Sequence, residues 1–295
     1  MTGGLLIIGS MSIIGFVDNL VPFIAKDFGV WQFHAIRSAL AVPVVVLLLR
    51  FKGRTPFPKH FGKVAVRSIL VASSMLLYFG SLALMPIAEA GAALFSSPIF
   101  VLVFSVVLFR TPVGIWRIFA IALGFCGVLL VLKPDLANLD AAAIFPIAAS
   151  VLYGLGQLVT RHWCSDEDTM VVLLGFFVAI GCGGAIGLAA FTFAPIPEAW
   201  DQAGPFFVRG WQPPTWEFAL WTCIQAFGSL VAVGGIIKGY QIAEPTLVGV
   251  FEYSFLLFAG FWGWAIWRVL PDSLALLGIA AIVLAGIVIT VRSRF

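Results

Sequence analysis

The chain has 295 residues, of which 61% are hydrophobic and 11% are charged, whereas soluble domains average about 45–50% and about 25%. A helical crossing of a bilayer needs about 20 apolar residues, so about ten crossings fit and little remains for a separate soluble domain. The formal net charge of +3 is spread over loops and helix ends, which excludes the basic surface that nucleic-acid binding requires. We therefore expect a membrane protein whose partners are the lipid bilayer and a small molecule.

Apolar windows separated by Pro, Gly or charged residues predict ten membrane helices. The predicted spans cover residues 4–25, 30–50, 64–84, 87–109, 114–132, 141–160, 169–193, 215–239, 243–267 and 273–291. Because the runs are long and lack the alternating pattern of outer-membrane strands, we predict an all-α protein rather than a β-barrel. The first run has no basic region ahead of it, which indicates a retained helix rather than a removed signal peptide.

The distribution of Lys and Arg predicts the orientation, because positively charged loops stay in the cytoplasm. With ten spans, twelve of these residues fall on the side of the N-terminus: Arg50, Lys52, Arg54, Lys59, Lys63, Arg67, Arg110, Arg117, Arg161, Lys238, Arg292 and Arg294. Four fall on the opposite side, namely Lys26, Lys133, Arg209 and Arg268, and Arg37 lies within the second span. We therefore expect a multi-pass membrane protein with both termini in the cytoplasm.

The chain also repeats itself. Three pairs of similar segments occur in the same order: 15–20 with 154–159, 87–89 with 242–244, and 127–133 with 286–292. Five helices is an odd number, so the second copy must enter the membrane from the opposite side. The sequence thus predicts an inverted-topology repeat of five plus five helices, with a first unit at residues 1–137, a second at 138–295, and a binding site at their interface.

The stretch from Tyr240 to Trp264, followed by Leu270-Pro271-Asp272, resembles the bacterial EamA-type branch of the drug/metabolite transporter superfamily. The resemblance covers essentially the whole chain. The first helix, with Asp18-Asn19 in its middle and Lys26 at its end, is similar to relatives that carry S-adenosylmethionine or riboflavin, and other members export amino acids. The resemblance therefore implies a secondary transporter of a bacterial inner membrane and leaves its cargo open.

The chain departs from the family at the ends of helices four and nine. Many members have a Gly-Glu pair at these places, whereas this sequence has Phe109-Arg110 and Trp267-Arg268. The role of those glutamates therefore cannot be transferred to this chain.

Ionisable side chains inside a membrane cost about 2.5–3.5 kcal/mol each at a helix centre, so each one suggests a functional site. Asp18 lies deep in the first span, Glu252 lies about ten residues into the ninth, and Arg37 lies about a third of the way into the second. We expect these three side chains to form one substrate site, in which Arg37 binds a carboxylate or phosphate. The alternative is a static ion pair that fastens helices together.

Polar neighbours complete the expected site. These are Asn19 beside Asp18, Tyr253 beside Glu252, His34 three residues before Arg37, and Tyr78, Gln157 and Gln225 in other spans. Each of them could instead make a hydrogen bond between helices, and His34 could simply lie at the membrane interface. We predict no catalytic residue, metal ligand or cofactor, because HExxH, GxSxG, the phosphate-binding loop and metal-type cysteine spacing are absent from the sequence.

The sequence thus favours a secondary transporter, rather than an enzyme, that moves small polar or zwitterionic metabolites such as amino acids by alternating access. The alternatives are uptake of S-adenosylmethionine or riboflavin-like cofactors, and a lipid-handling membrane protein. Transport direction and oligomeric state stay open, and protons are a candidate coupling ion because a desolvated carboxylate binds protons more readily.

Overall fold

The computed structural model describes residues 2–81, 84–85, 87–135, 137, 141–194 and 205–292. These residues form α-helices and short 3₁₀ segments, and they contain no β-strand. The prediction of an all-α protein is therefore confirmed.

The helices of the first half are α1 (Thr2–Asp18), α2 (Val21–Ala25), α3 (Val30–Phe51), α4 (Phe61–Ser81), α5 (Ile87–Leu94), α6 (Ser97–Val107) and α7 (Ile115–Leu132). The second half begins with a 3₁₀ segment at Ala141–Ala143. It continues with α8 (Ile144–Trp163), α9 (Thr169–Phe193), α10 (Pro205–Val208), α11 (Trp216–Ile242), α12 (Pro245–Val248), a 3₁₀ segment at Gly249–Tyr253, α13 (Ser254–Trp267) and α14 (Ser273–Arg292).

Ten stretches of the described residues are long and apolar enough to cross a membrane, which confirms the ten predicted spans. We number them spans 1 to 10 in chain order: α1–α2, α3, α4, α5–α6, α7, α8, α9, α11, α12–α13 and α14. Span 3 begins at Phe61 rather than residue 64, and span 8 ends at Ile242 rather than residue 239. The extension of span 3 includes Lys63, which is exposed and can extend its ammonium group towards the interface.

Spans 1, 4 and 9 are interrupted. Span 1 breaks after Asp18, where the Asn19 amide donates to the carbonyl oxygen of Gly15 at 2.7 Å. Span 4 breaks between Leu94 and Ser97, and span 9 changes to 3₁₀ geometry over Gly249–Tyr253. Irregular backbone at membrane depth is tolerated only where it is buried in protein or lines a water-filled cavity, so the three breaks direct attention to the space between these spans.

The contacts between spans form exchangeable pairs. Span 5 packs along span 10, and span 2 packs along span 7. The contact of span 3 with span 6 has its counterpart in that of span 8 with span 1, and the contact of span 4 with span 6 has its counterpart in that of span 9 with span 1. Span 1 corresponds to span 6, span 2 to span 7, and so on, and replacing each span of a contact by its corresponding span gives the counterpart contact. A five-plus-five repeat predicts this pattern. Its predicted boundary after residue 137 adjoins residues outside the described part of the chain.

The contact between spans 5 and 10 depends on two facing glycines. A Cβ atom added to Gly278 would lie 2.6 Å from the carbonyl oxygen of Gly127, and a Cβ added to Gly127 would lie 2.7 Å from that of Gly278. These backbones therefore approach as closely as small residues permit.

An ion pair at the membrane face opposite the N-terminus also joins spans 5 and 10. The Lys133 ammonium group contacts the Asp272 carboxylate, which also accepts from the Ala275 backbone N–H at 2.9 Å. The hydrogen bond from Lys133, followed by that from Ala275, lowers the pKa of Asp272 below its ordinary value. The Pro-Asp turn thus ties the start of span 10 to the end of span 5.

We predict that Gly278→Ala destabilises the protein by about 1–3 kcal/mol, because the added methyl group meets backbone rather than a movable side chain. The measurement is the melting temperature of the purified protein in detergent. Gly260→Ala is the matched control, since a Cβ at Gly260 meets no atom within 4 Å. Equal melting temperatures for the two variants would contradict the close contact.

Candidate binding cavity

A cavity of about 180 Å³ lies between the two halves of the chain. Its wall includes apolar side chains from spans 1, 3, 4, 7, 8 and 9. Its polar lining consists of Asp18, Arg37, Arg67, Tyr78, Ser97, Tyr153, Gln157, Gln225, Ser229 and Glu252. Two arginines and two carboxylates thus face one internal space.

One end of the cavity, which we call the Arg37 end, contains Asp18, Arg37, Tyr78 and Gln225. The Gln225 amide donates to the Asp18 carboxylate at 3.0 Å and to the Val17 carbonyl oxygen at 3.1 Å, so span 8 fixes Asp18 at the break in span 1. The Oε1 atom of Gln225 has no hydrogen-bond partner among the described residues.

Arg37 is 8% exposed and makes neither a hydrogen bond nor an ion pair within 4.0 Å to any residue that the structure describes. Its guanidinium carbon lies 5.0 Å from the ring centre of Phe33 and 5.9 Å from that of Phe177, which are cation–π distances. Asp18 is close enough to attract it electrostatically. The cation is therefore held by two rings and a carboxylate beyond contact distance, and its hydrogen-bonding capacity remains free.

The other end, which we call the Arg67 end, contains Arg67, Tyr153, Gln157 and Glu252. The Tyr153 hydroxyl donates to the Glu252 carboxylate at 2.9 Å. Arg67 is 1% exposed, and its Nε donates to the Thr160 hydroxyl at 2.9 Å. Its Nη1 atom and both amide atoms of Gln157 have no partner among the described residues.

The two ends lie at different depths. Asp18 precedes the end of span 1 by seven residues, and Arg37 follows the start of span 2 by seven, so both lie about 10 Å from the face opposite the N-terminus. Arg67 follows the start of span 3 by six residues, and Gln157 precedes the end of span 6 by six, so both lie about 9 Å from the N-terminal face. If the span ends are taken as the faces of a bilayer core about 30 Å thick, helix rise places the two ends about 10 Å apart along the membrane normal.

Six of the nine side chains expected to form the site line this cavity: Asp18, Arg37, Tyr78, Gln157, Gln225 and Glu252. The structure divides them between the two ends rather than grouping Asp18, Arg37 and Glu252 together at one depth.

Three expected residues lie outside the cavity lining. Asn19 donates to the Ala259 carbonyl oxygen at 3.1 Å and joins span 1 to span 9. His34 is fully buried with its ring 4.8 Å from that of Phe79, and neither ring nitrogen has a partner among the described residues. Tyr253 is fully buried against Gly124 of span 5.

Arg67 was not predicted as a site residue, because the sequence analysis counted it among the charges at the face of the N-terminus. The structure corrects this assignment, since Arg67 is buried and lines the cavity. A signal was available: Arg67 stands inside the third predicted apolar window, where an unpaired cation is costly.

The predicted repeat pairs residues of the first half with residues of the second. Aligning residues 15–20 with 154–159 pairs Asp18 with Gln157 and, at the same offset, Arg37 with Phe176. Aligning residues 87–89 with 242–244 pairs Ser97 with Glu252. All six side chains line the cavity. The two halves therefore supply corresponding positions but different chemistry.

Two larger grooves contrast with this cavity. One, of about 370 Å³, lies among spans 1, 9 and 10, and another, of about 600 Å³, lies between spans 1 and 9. Their lining is apolar apart from a few hydroxyl groups and contains no Asp, Glu, Lys or Arg. They suit acyl chains, whereas the internal cavity suits a polar molecule.

Ser97 lines the cavity. We predict that the Ser97→Cys variant reacts with a water-soluble methanethiosulfonate reagent, because the charged side chains of the wall keep the cavity hydrated. Ser150→Cys is the matched control, since Ser150 is fully buried and its hydroxyl contacts that of Ser96 at 2.8 Å. In a background without the four native cysteines, Ser97→Cys should react roughly tenfold faster because reactivity follows exposure. Equal rates would contradict a hydrated cavity.

Comparisons with known proteins agree with this architecture. Residues 1–133 match the EamA-like transporter family. The pseudopaline exporter of Pseudomonas aeruginosa is 25% identical over 86% of this chain and 84% of its own. The riboflavin transporter of Vibrio cholerae is 24% identical over 93% and 88%, and the S-adenosylmethionine uptake transporter of Rickettsia prowazekii is 22% identical over 79% and 76%.

A solved crystal structure shares the fold, with a TM-score of 0.80 and 16% identity over 100% of this chain and 99% of the other. The family match over residues 1–133, the named relatives and the ten spans together indicate a multi-pass protein of the bacterial inner membrane that is similar to transporters of the EamA type.

Proposed function

We propose that this protein is a secondary transporter, not an enzyme, that moves small polar or zwitterionic metabolites such as amino acids across the inner membrane by alternating access between its two halves. The observation that carries this proposal is the internal cavity lined by two arginines and two carboxylates. A cavity with both signs of charge favours a substrate that also carries both.

The free hydrogen-bonding capacity of Arg37 supports this substrate class. A buried cation without hydrogen-bond partners is unfavourable, and a guanidinium group binds a carboxylate through two parallel hydrogen bonds. Asp18 lies on the same end of the cavity and can accept hydrogen bonds from an ammonium group. An α-amino acid presents both groups on one carbon atom, so it suits the Arg37 end.

Alternating access is supported by the exchangeable contacts and by the position of the cavity. The cavity receives side chains from both halves, and spans 1, 4 and 9, which break beside it, supply Asp18, Ser97 and Glu252. Rocking one half against the other would open such a site to either face in turn.

The named relatives widen the cargo to be tested. One is called an exporter and another an uptake transporter, so they suggest no common direction. Riboflavin and S-adenosylmethionine therefore belong beside amino acids in a transport panel. They represent the alternative proposal, uptake of a cofactor.

We predict saturable uptake of at least one compound of this panel into proteoliposomes, and Arg37→Ala should reduce its kcat/KM at least about tenfold, equivalent to about 1.4 kcal/mol. Arg50→Ala is the control, because Arg50 lies exposed in the last turn of the same helix. Undiminished flux in Arg37→Ala would contradict the proposed role of Arg37. Absence of flux for every compound would contradict the cargo class.

We also predict that Asp18→Asn with Glu252→Gln abolishes any acceleration of flux by an imposed pH gradient, because these neutral amides cannot exchange protons. The measurement compares uptake with and without the gradient. Wild-type flux and wild-type gradient dependence in the double variant would show that neither carboxylate takes part in transport.

A further inference from the structure

Arg67 and Gln157 form a pair of buried polar side chains for which the protein supplies too few partners. Both are 1% exposed, and both line the cavity. Across the two side chains, three nitrogen or oxygen atoms are buried without a hydrogen bond among the described residues. Because an unsatisfied buried polar group is costly, this arrangement indicates that something else occupies the space beside them.

The position of Arg67 is fixed by span 6. Its Nε donates to the Thr160 hydroxyl, and that hydroxyl donates to the Gly156 carbonyl oxygen at 2.7 Å. Gln157 follows Gly156 directly. One turn of α8 therefore holds the Arg67 guanidinium group and presents the Gln157 amide in the same wall of the cavity, which is the pre-organisation that a binding site needs.

We propose that Arg67 and Gln157 form a second anion-binding subsite that takes a carboxylate group of the substrate. A carboxylate accepts two hydrogen bonds from a guanidinium group, and the Gln157 amide supplies a further donor. The Glu252 carboxylate also lines this end of the cavity. In its ionised form Glu252 repels a dianionic phosphate more strongly than a monoanionic carboxylate.

The subsite deepens the proposed function and rests on it. With the α-amino acid group at the Arg37 end, a carboxylate at the Arg67 end must be carried on an extension of the same molecule. The two ends are about 10 Å apart by helix rise and bilayer thickness. The inferred substrate class is therefore an elongated amino acid with a second carboxylate at the far end of its side chain.

A binding series tests this inference. The probes are L-glutamate, L-2-aminoadipate, L-2-aminopimelate and L-2-aminosuberate, each with the amide of its terminal carboxylate as a partner of similar size that is uncharged and has one acceptor oxygen replaced by an NH2 donor. Ligand-dependent stabilisation of the full-length protein in detergent gives an apparent Kd for each compound. We expect the terminal carboxylate to improve the apparent Kd at least about tenfold over the amide for the chain length that fits.

Arg67→Gln should reduce this preference to about twofold or less, since the guanidinium donors are lost, while binding of the amide partners persists. Arg50→Gln, at an exposed helix end, should keep the preference. Gln157→Leu should weaken the preference for the terminal carboxylate. If Arg67→Gln does not fold, the comparison of Gln157→Leu with the wild type tests the subsite. Melting profiles and gel filtration without ligand establish folding.

The inference is overturned if the wild type shows no preference for a terminal carboxylate at any length, or if folded Arg67→Gln retains the preference. Tighter binding of L-2-amino-5-phosphonopentanoate than of the carboxylates would also overturn it. Saturable proteoliposome flux of the amides without any preference for the acids would contradict this subsite alone and leave the proposed function standing.

Discussion

The constraint on which this structure depends is the cost of an ionised side chain in a low-dielectric membrane. Asp18, Arg37, Arg67 and Glu252 lie within the spans, and all four face one internal cavity. Ten apolar helices can enclose such groups only if polar neighbours and a hydrated space replace bulk water. Gln225 and Tyr153 supply hydrogen bonds to the two carboxylates, whereas the two guanidinium groups keep unused donors. The protein thus satisfies its buried anions better than its buried cations, which favours an anionic group on the substrate.

The interruptions in spans 1, 4 and 9 follow from the same constraint. Asp18 is the last residue of α1, Ser97 is the first of α6, and Glu252 lies in the 3₁₀ segment of span 9. Each therefore stands where regular helix geometry stops and lines the cavity, where irregular backbone is tolerated. Ser97 and Glu252, at the breaks in spans 4 and 9, thus line the same cavity.

Local signals in the sequence were sufficient to predict the ten spans, because a run of about 20 apolar residues between helix-breaking or charged residues can be recognised without knowledge of the fold. The same cost argument identified Asp18, Arg37 and Glu252 as residues that face an interior. Their separation into two ends was not predicted, because depth depends on where each helix begins. Arg67 was missed although it lies inside the third predicted span, because it was counted with the charges at the face of the N-terminus and because its partner Thr160 is remote in sequence. Asn19 and Tyr253 also contact residues that are remote in sequence, Ala259 and Gly124, so both side chains pack between helices.

The central claim is that the charged cavity, and not a lipid-facing groove, is where the substrate binds. An experimental structure of the full-length protein with a transported compound tests this claim most directly. The account predicts ligand density between Asp18, Arg37, Arg67 and Glu252, with a carboxylate against the Arg37 guanidinium group. Ligand density in the apolar groove beside Phe16 and Trp262, with the internal cavity holding only water, would contradict it.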